Sequence, residues 1–287
     1  MTAVGRRRAS TAWLLVVYAF LYGPIVSLVV FSFTGGSITT RLDGLSLRWY
    51  AALVEDAGLG AAVALSLRVG ATAATAAVAI GTAAALVLLR YGGARSNRVL
   101  AALATAPMVL PEVVIGLALV LLFTHPWLAW LGGRGVGAIW VAHTTLTTAY
   151  VAVLVQSRLA EMDLSLEEAA LDLGCPPAKV FFVVTVPVIA PALVAGWVLA
   201  FTLSMDDFVL AAMLSDPGST TLPVLVFARL HHGLKPEINA LATVIVGVVS
   251  VAVMLAHRVL ARQRRVSTAS ARAPLGSRRP VPRRPCA

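Results

Sequence analysis

Lysine is almost missing from this chain: Lys179 and Lys235 are the only two among 23 Lys and Arg residues. A phosphate-cradling GxxxxGK[ST] loop needs a lysine behind a glycine, and here the preceding residues are Ala178 and Leu234. The chain therefore carries no ATP-hydrolysing loop of that kind. Cysteine is as scarce, and Cys175 and Cys286 give no disulfide framework. The histidines, His125, His143, His231, His232 and His257, form no HExxH pair, no metal-ligand set and no clustered Ser-His-Asp arrangement. Each reads as packed or interfacial. Charged residues make up 13% of the sequence and hydrophobic ones 59%, whereas a soluble domain carries about 25% charge. A soluble globular protein is excluded, and an all-α, polytopic membrane protein remains.

Six stretches are long enough to cross about 30 Å of hydrocarbon at 1.5 Å per residue. They fall near 11–33, 60–89, 99–123, 136–157, 187–214 and 239–260. The first follows Arg6, Arg7 and Arg8 but has no small-residue cleavage pattern, so it reads as a retained span. Between the first two, residues 34–59 carry Leu45, Leu47, Trp49, Tyr50 and Leu53, the pattern of an interfacial amphipathic helix. Lys and Arg concentrate before the first span, in the 90–98 loop, around Arg158 and Lys179, and in the tail from Arg258 onward. The positive-inside rule places those segments, and both termini, in the cytoplasm. The net charge of +10 lies in segments flanking apolar spans, so anionic lipid rather than nucleic acid is the expected partner. The expected division is a basic segment 1–10, a membrane domain 11–262, and a Pro, Ser and Arg-rich disordered tail 263–287.

One acidic hairpin interrupts the apolar chain at about 158–187. Ser165 with Glu168 forms a capping-box start, and Leu166, Ala169, Ala170 and Leu173 fall on one helical stripe. Gly174 ends that helix, and Pro176-Pro177 suits the start of a second short helix running to Pro187. The order Glu168-Ala169-Ala170, three residues, Gly174, nine residues, Val184, Thr185, Val186, Pro187 resembles the EAA loop of the membrane subunits of binding-protein-dependent ABC importers. The resemblance implies the six-span, type I ABC importer permease (MetI-like) fold. It also implies that Glu168, Ala169, Ala170 and Gly174 couple the chain to a separate ATPase.

Carboxylates inside the spans indicate where a solute would pass. Glu112 follows Pro107 and Pro111, residues that kink a helix. Asp206 and Asp207 sit deep in the fifth apolar run, where each costs about 2.5–3.5 kcal/mol at a helix centre. Neighbours on a helix point about 100° apart, so one acid can face a lumen while the other is paired or caps a broken helix. The segments Ser204-Met205-Asp206-Asp207-Phe208, Gly218-Ser219-Thr220-Thr221-Leu222-Pro223, Pro236-Glu237-Ile238-Asn239-Ala240 and Ala142-His143-Thr144-Thr145 resemble the spermidine/putrescine permeases. By that resemblance Trp49, Glu112, Ser204, Asp206 and Asp207 line a polyamine pathway. Arg68, a cation inside the second span, and the Pro176-Pro177 pair depart from the expected pattern.

The resemblance also implies the company the chain keeps. That is a second homologous permease, two cytoplasmic ABC ATPases that hold the ATP and Mg, and an extracytoplasmic binding protein, all at a bacterial inner membrane. The chain itself is expected to be no enzyme and to hold no metal or cofactor. Related permeases for phosphonate, iron or thiamine share the loop, so the solute rests mainly on the Asp pair. A secondary transporter using the acids as a proton relay would show a repeat between halves, and none is evident.

Overall fold

The computed structural model describes residues 3–36, 43–91, 94–126, 133–231 and 236–271. Among them the chain is helical, with one isolated β-bridge between Thr34 and Leu45. The helices are α1 (Ala3–Phe31), α2 (Arg48–Glu55), α3 (Ala57–Leu86), α4 (Ala94–Val109), α5 (Glu112–Thr124), α6 (Val136–Ala160), α7 (Ser165–Asp172), α8 (Pro177–Val180), α9 (Val186–Asp206), α10 (Val209–Leu214), α11 (Leu222–His231) and α12 (Pro236–Ala271). They fall into two compact units, one of residues up to Ala57 and from Val226 on, the other Gly58–Leu225.

Four helical stretches are long and apolar enough to cross a membrane: Ser10–Phe31, Ala57–Arg90, Val136–Ala160 and Pro177–Asp206. They coincide with four of the six expected spans. The expected third span is not one straight helix, because Arg98–Val109 and Glu112–Thr124 meet at a 107° bend. Pro111 is the cause: it adopts φ −56° and ψ 134°, has no N–H to continue the ladder, and disfavours a helical residue before it. The expected fifth span also breaks, after Asp206, and restarts at Val209. The sixth falls within α12, whose described apolar part is Pro236–Val251. The expected disordered tail is helical up to Ala271, and its remainder lies outside the described residues.

In the first unit α12 packs against α1 and α2. The apolar side chains of α1, Trp13 and Phe20 among them, are exposed, as a helix meeting lipid on most of its surface requires. The helix α2 turns its aromatics back on the chain before it: Trp49 Nε1 donates to the Thr34 carbonyl at 3.1 Å, and Tyr50 shares a 2.6 Å hydrogen bond with Ser32. Arg229 ties α11 to Asp56 and, at 2.7 Å, to Glu237.

The second unit is built around α6, the most buried of the long helices. Toward one end Ile139 and Leu146 meet Val69, Ile115, Leu210 and Leu214; toward the other Val151, Val155 and Leu159 meet Ala74, Ala77, Ala85, Ile189 and Ala200. Small residues on α3 allow this closeness, as they do between helices in lipid. A Cβ on Gly81 would lie 3.0 Å from the Ala152 nitrogen and 3.1 Å from the Thr148 carbonyl, both backbone atoms that cannot swing away. Gly60, on the same helix, has nothing within 4 Å. Gly81→Leu is therefore expected to lose about 1–3 kcal/mol and to lower the unfolding temperature in detergent, with Gly60→Leu close to wild type. Equal stability of the two variants would contradict this packing.

Candidate functional site

Two of the three acidic doublets of the sequence, Asp206-Asp207 and Glu167-Glu168, each sit where a helix starts or stops in the second unit. Asp207 has extended backbone (φ −70°, ψ 113°), which ends α9. Its Oδ1 accepts the Leu210 N–H at 3.0 Å, the N-cap arrangement three residues on, so the same residue starts α10. Its other oxygen, Oδ2, lies 3.0 Å from His143 Nε2 on α6, in contact but not aligned as a straight hydrogen bond. His143 Nδ1 in turn meets the Ser204 hydroxyl at 2.6 Å. With Nε2–H facing the carboxylate, Nδ1 is the acceptor and Ser204 the donor. All three side chains are buried.

Ser204, His143 and Asp207 thus form the Ser-His-Asp cluster that sequence spacing gave no reason to expect. It has no character of a hydrolase: the hydroxyl is buried and spent on the imidazole, whereas a nucleophile needs a substrate beside it. Its work is to hold a helix break. Asp206, one residue earlier, is exposed. Glu112, the first residue of α5, is exposed too and close enough to Asp207 and Asp206 to interact with them electrostatically. Gly116 explains the approach, since α5 packs against α10 there and a Cβ at Gly116 would meet Met213 and Leu210. Among the described residues neither Asp206 nor Glu112 has a cationic partner. Arg68 is exposed and outside these pairs as well. Trp49 belongs to the other unit, with the Arg48 guanidinium 4.3 Å from its ring centroid.

The hairpin begins with a different cap from the expected one. Leu164 is already in helical conformation, so Ser165 is a helical residue and cannot act as N-cap. Asp163 serves instead, accepting the Ser165 N–H at 3.0 Å. That backbone bond, and a second from the Ser165 side chain, hold the Asp163 carboxyl below the usual aspartate range. A lowered acid keeps its contribution above its ordinary pKa and loses it only on acidification through the lowered one, so this turn is intact at neutral pH. At the other end Gly174 takes φ +83°. Its N–H bonds the Leu171 carbonyl at 2.8 Å and the Cys175 N–H bonds that of Ala170 at 3.2 Å, the Schellman closure for which glycine is suited. Cys175 is buried; the other cysteine, Cys286, lies outside the described residues. Pro177 starts α8 as expected. The second helix does not stop at Pro187, however: it passes through a π-helical turn, Phe181–Thr185, directly into α9.

On α7, Glu168 and Ala169 are exposed, Ala170 is half-buried, and Leu166, Leu171 and Leu173 stand out, the last 79% exposed. Glu167 is the acid that turns inward. Both of its oxygens meet the Arg90 guanidinium, and the Thr185 hydroxyl donates to one of them. Sequence reading passed over Glu167, counted Arg90 only toward topology, and left His143 as a packing residue. The available signal was the doublet itself, because adjacent acids on a helix point about 100° apart and can hold different posts.

This all-helical architecture, broken at carboxylates and carrying an apolar-studded loop helix, is that of a membrane component of a transport system rather than of an enzyme. The chain belongs to the family of binding-protein-dependent transport system inner membrane components, which residues 77–266 match. It is 50% identical over 252 residues to the putrescine transport system permease protein PotI of Escherichia coli K12, covering 87% of this chain and 89% of that one. It is 34% identical over 249 residues to the spermidine/putrescine permease PotC of the same strain, covering 86% and 92%. The fold is shared, with a TM-score of 0.71, 15% identity and coverage of 91% of this chain and 97% of the other, by a chain of a bacterial ABC transporter involved in alginate import.

Truncating His143 would leave the buried Asp207 Oδ2 without the imidazole N–H that faces it, at a cost of about 1–3 kcal/mol. His143→Ala is expected to lower the unfolding temperature of the detergent-solubilised chain sharply. Asp206→Asn, at an exposed position, should change stability by no more than about 0.5 kcal/mol. A similar loss in both would show that the doublet has no inner and outer member.

Proposed function

We propose that this chain is a permease subunit of an ATP-driven importer and passes polyamines, putrescine or spermidine, across the inner membrane. The observation that carries the reading is the pair of exposed carboxylates, Asp206 and Glu112, at two helix breaks packed side by side through α5 and α10. A polyamine presents ammonium groups along an apolar stem, and spaced carboxylates in a weakly solvated channel are what those groups require. The 50% identity to a putrescine permease points to the same cargo class. In this reading Asp206 and Glu112 meet the ammonium groups, and Ser204 and Asp207 set the break that presents them. Trp49 offers an aromatic face for a cation.

The remaining parts follow from the hairpin. Glu168, Ala169, Ala170 and the exposed leucines of α7 dock in a groove of a cytoplasmic ATPase, with Gly174 closing the helix so that it can enter. Two such ATPases, a second homologous permease and an extracytoplasmic binding protein complete the machine. Both termini and the hairpin lie on the cytoplasmic side, the chain crosses six times, and residues 11–262 form its membrane domain. ATP-driven closure of the ATPases shifts the docked hairpin as a rigid body and turns the cavity from inward-facing to outward-facing.

The test is uptake of labelled putrescine and spermidine by cells expressing the whole operon, at matched membrane levels. Losing one charge-assisted ammonium contact, worth about 1.5–3 kcal/mol, should reduce uptake by roughly tenfold or more in Asp206→Asn and Glu112→Gln. Glu168→Lys should abolish uptake with normal membrane insertion. Wild-type cells that import neither amine would overturn the cargo and leave another small solute to be found. Full uptake with Glu168→Lys would overturn the docking role of the hairpin.

A further inference from the structure

We infer that Glu167, Arg90 and Thr185 form the joint that transmits movement of the coupling helix to the membrane spans, separate from the surface that docks the ATPase. The inference rests on the coupling role proposed for the hairpin. Its carrier is the position of the Glu167 side chain, which faces away from the exposed side of α7 and lies against two other elements at once. One is Arg90, in the π-helical turn Val87–Tyr91 that ends α3. The other is Thr185, the last residue of the π-helical turn Phe181–Thr185 that leads into α9. Arg90 Nη2 donates to Glu167 Oε1 at 2.9 Å, and its Nη1 contacts Oε2. Thr185 is buried and its hydroxyl also serves Oε1.

Each partner has a distinct mechanical part. A guanidinium facing a carboxylate with two N–H groups fixes direction as well as distance, so α7 cannot turn about its own axis without carrying the end of α3. The Thr185 hydroxyl ties the same carboxylate to the helix whose far end carries Asp206. Both ties enter through π-helical turns, a local geometry found often at functional sites in helices. Glu168, next in sequence, is exposed and touches neither. The doublet therefore divides two tasks, with the outer acid on the ATPase and the inner acid on the spans.

The experiment uses the complete transporter reconstituted in liposomes with its ATPases and a putrescine-loaded binding protein. Three quantities are read: ATPase subunit retained on purification, the ratio of stimulated to basal ATP hydrolysis, and putrescine uptake. Glu167→Gln and Arg90→Gln should retain the ATPase subunits yet lose stimulation and uptake by about tenfold, the scale of an ordinary coupling free energy. Thr185→Val should give a smaller loss. The exchange Glu167→Arg with Arg90→Glu should recover most of the stimulation, which a general loss of stability would not allow. Glu168→Lys, by contrast, should fail at retention.

Normal stimulation in both single variants overturns the joint while leaving the coupling hairpin in place. Loss of retention in Glu167→Gln equal to that of Glu168→Lys also overturns it, because the inner acid would then be part of the docking surface. If the single variants do not fold and the exchange restores folding but not stimulation, the cluster is structural and the inference fails. A wild-type chain that retains no ATPase overturns the coupling reading and the joint together.

Discussion

Inside a bilayer an amide N–H has no water to bond, and that constraint decides where this chain can bend. A helix that starts in an apolar run leaves N–H groups open unless a side chain takes them. Asp207 does so for α10, accepting the Leu210 N–H, and the carboxylate that makes this possible must itself be paired. His143 supplies the pairing from the central helix and Ser204 fixes the imidazole. Pro111 solves the same problem differently, because its own missing N–H removes one open donor at the α4–α5 bend. Two breaks, satisfied by different chemistry, leave Glu112 and Asp206 at their edges.

The acidic doublets Asp206-Asp207 and Glu167-Glu168 follow one plan. Asp207 and Glu167 face inward onto His143 and Arg90, while Asp206 and Glu168 stay outside. An inward acid next to an imidazole N–H or a guanidinium loses less to desolvation than it would alone, and the outward one is available to something that arrives. In both places the inward member fixes the backbone that aims the outward one. Two neighbouring carboxylates that look equivalent in sequence thus hold different posts.

Much of the fold was legible because about twenty apolar residues in a row have few other uses, and four helices lie where those runs predict. The bend at Pro111 was legible as a kink, its 107° magnitude was not, since that depends on α5 finding α10. Gly174 was legible for the same local reason that makes glycine favourable at a left-handed cap. Asp163 displaced Ser165 as cap because Leu164 had already entered the helix, a matter of one residue of phase that spacing does not encode. Glu167 stayed hidden because its partners are 77 residues before it and 18 after. His143 stayed hidden likewise, being 61 residues from Ser204. The motif drew attention to Glu168, the exposed acid of the pair.

The helix from Pro177 to Asp206 runs without a break for 30 residues, which at 1.5 Å per residue is about 45 Å. One of its ends lies in the hairpin and the other carries the exposed aspartate. A rod of that length converts angle into displacement: tilting it by about 5° about one end carries the other through roughly 4 Å, more than the width of a water molecule. Opening and closing a passage for a slender cargo then asks for no refolding of any helix, only for a small rotation delivered at the correct end.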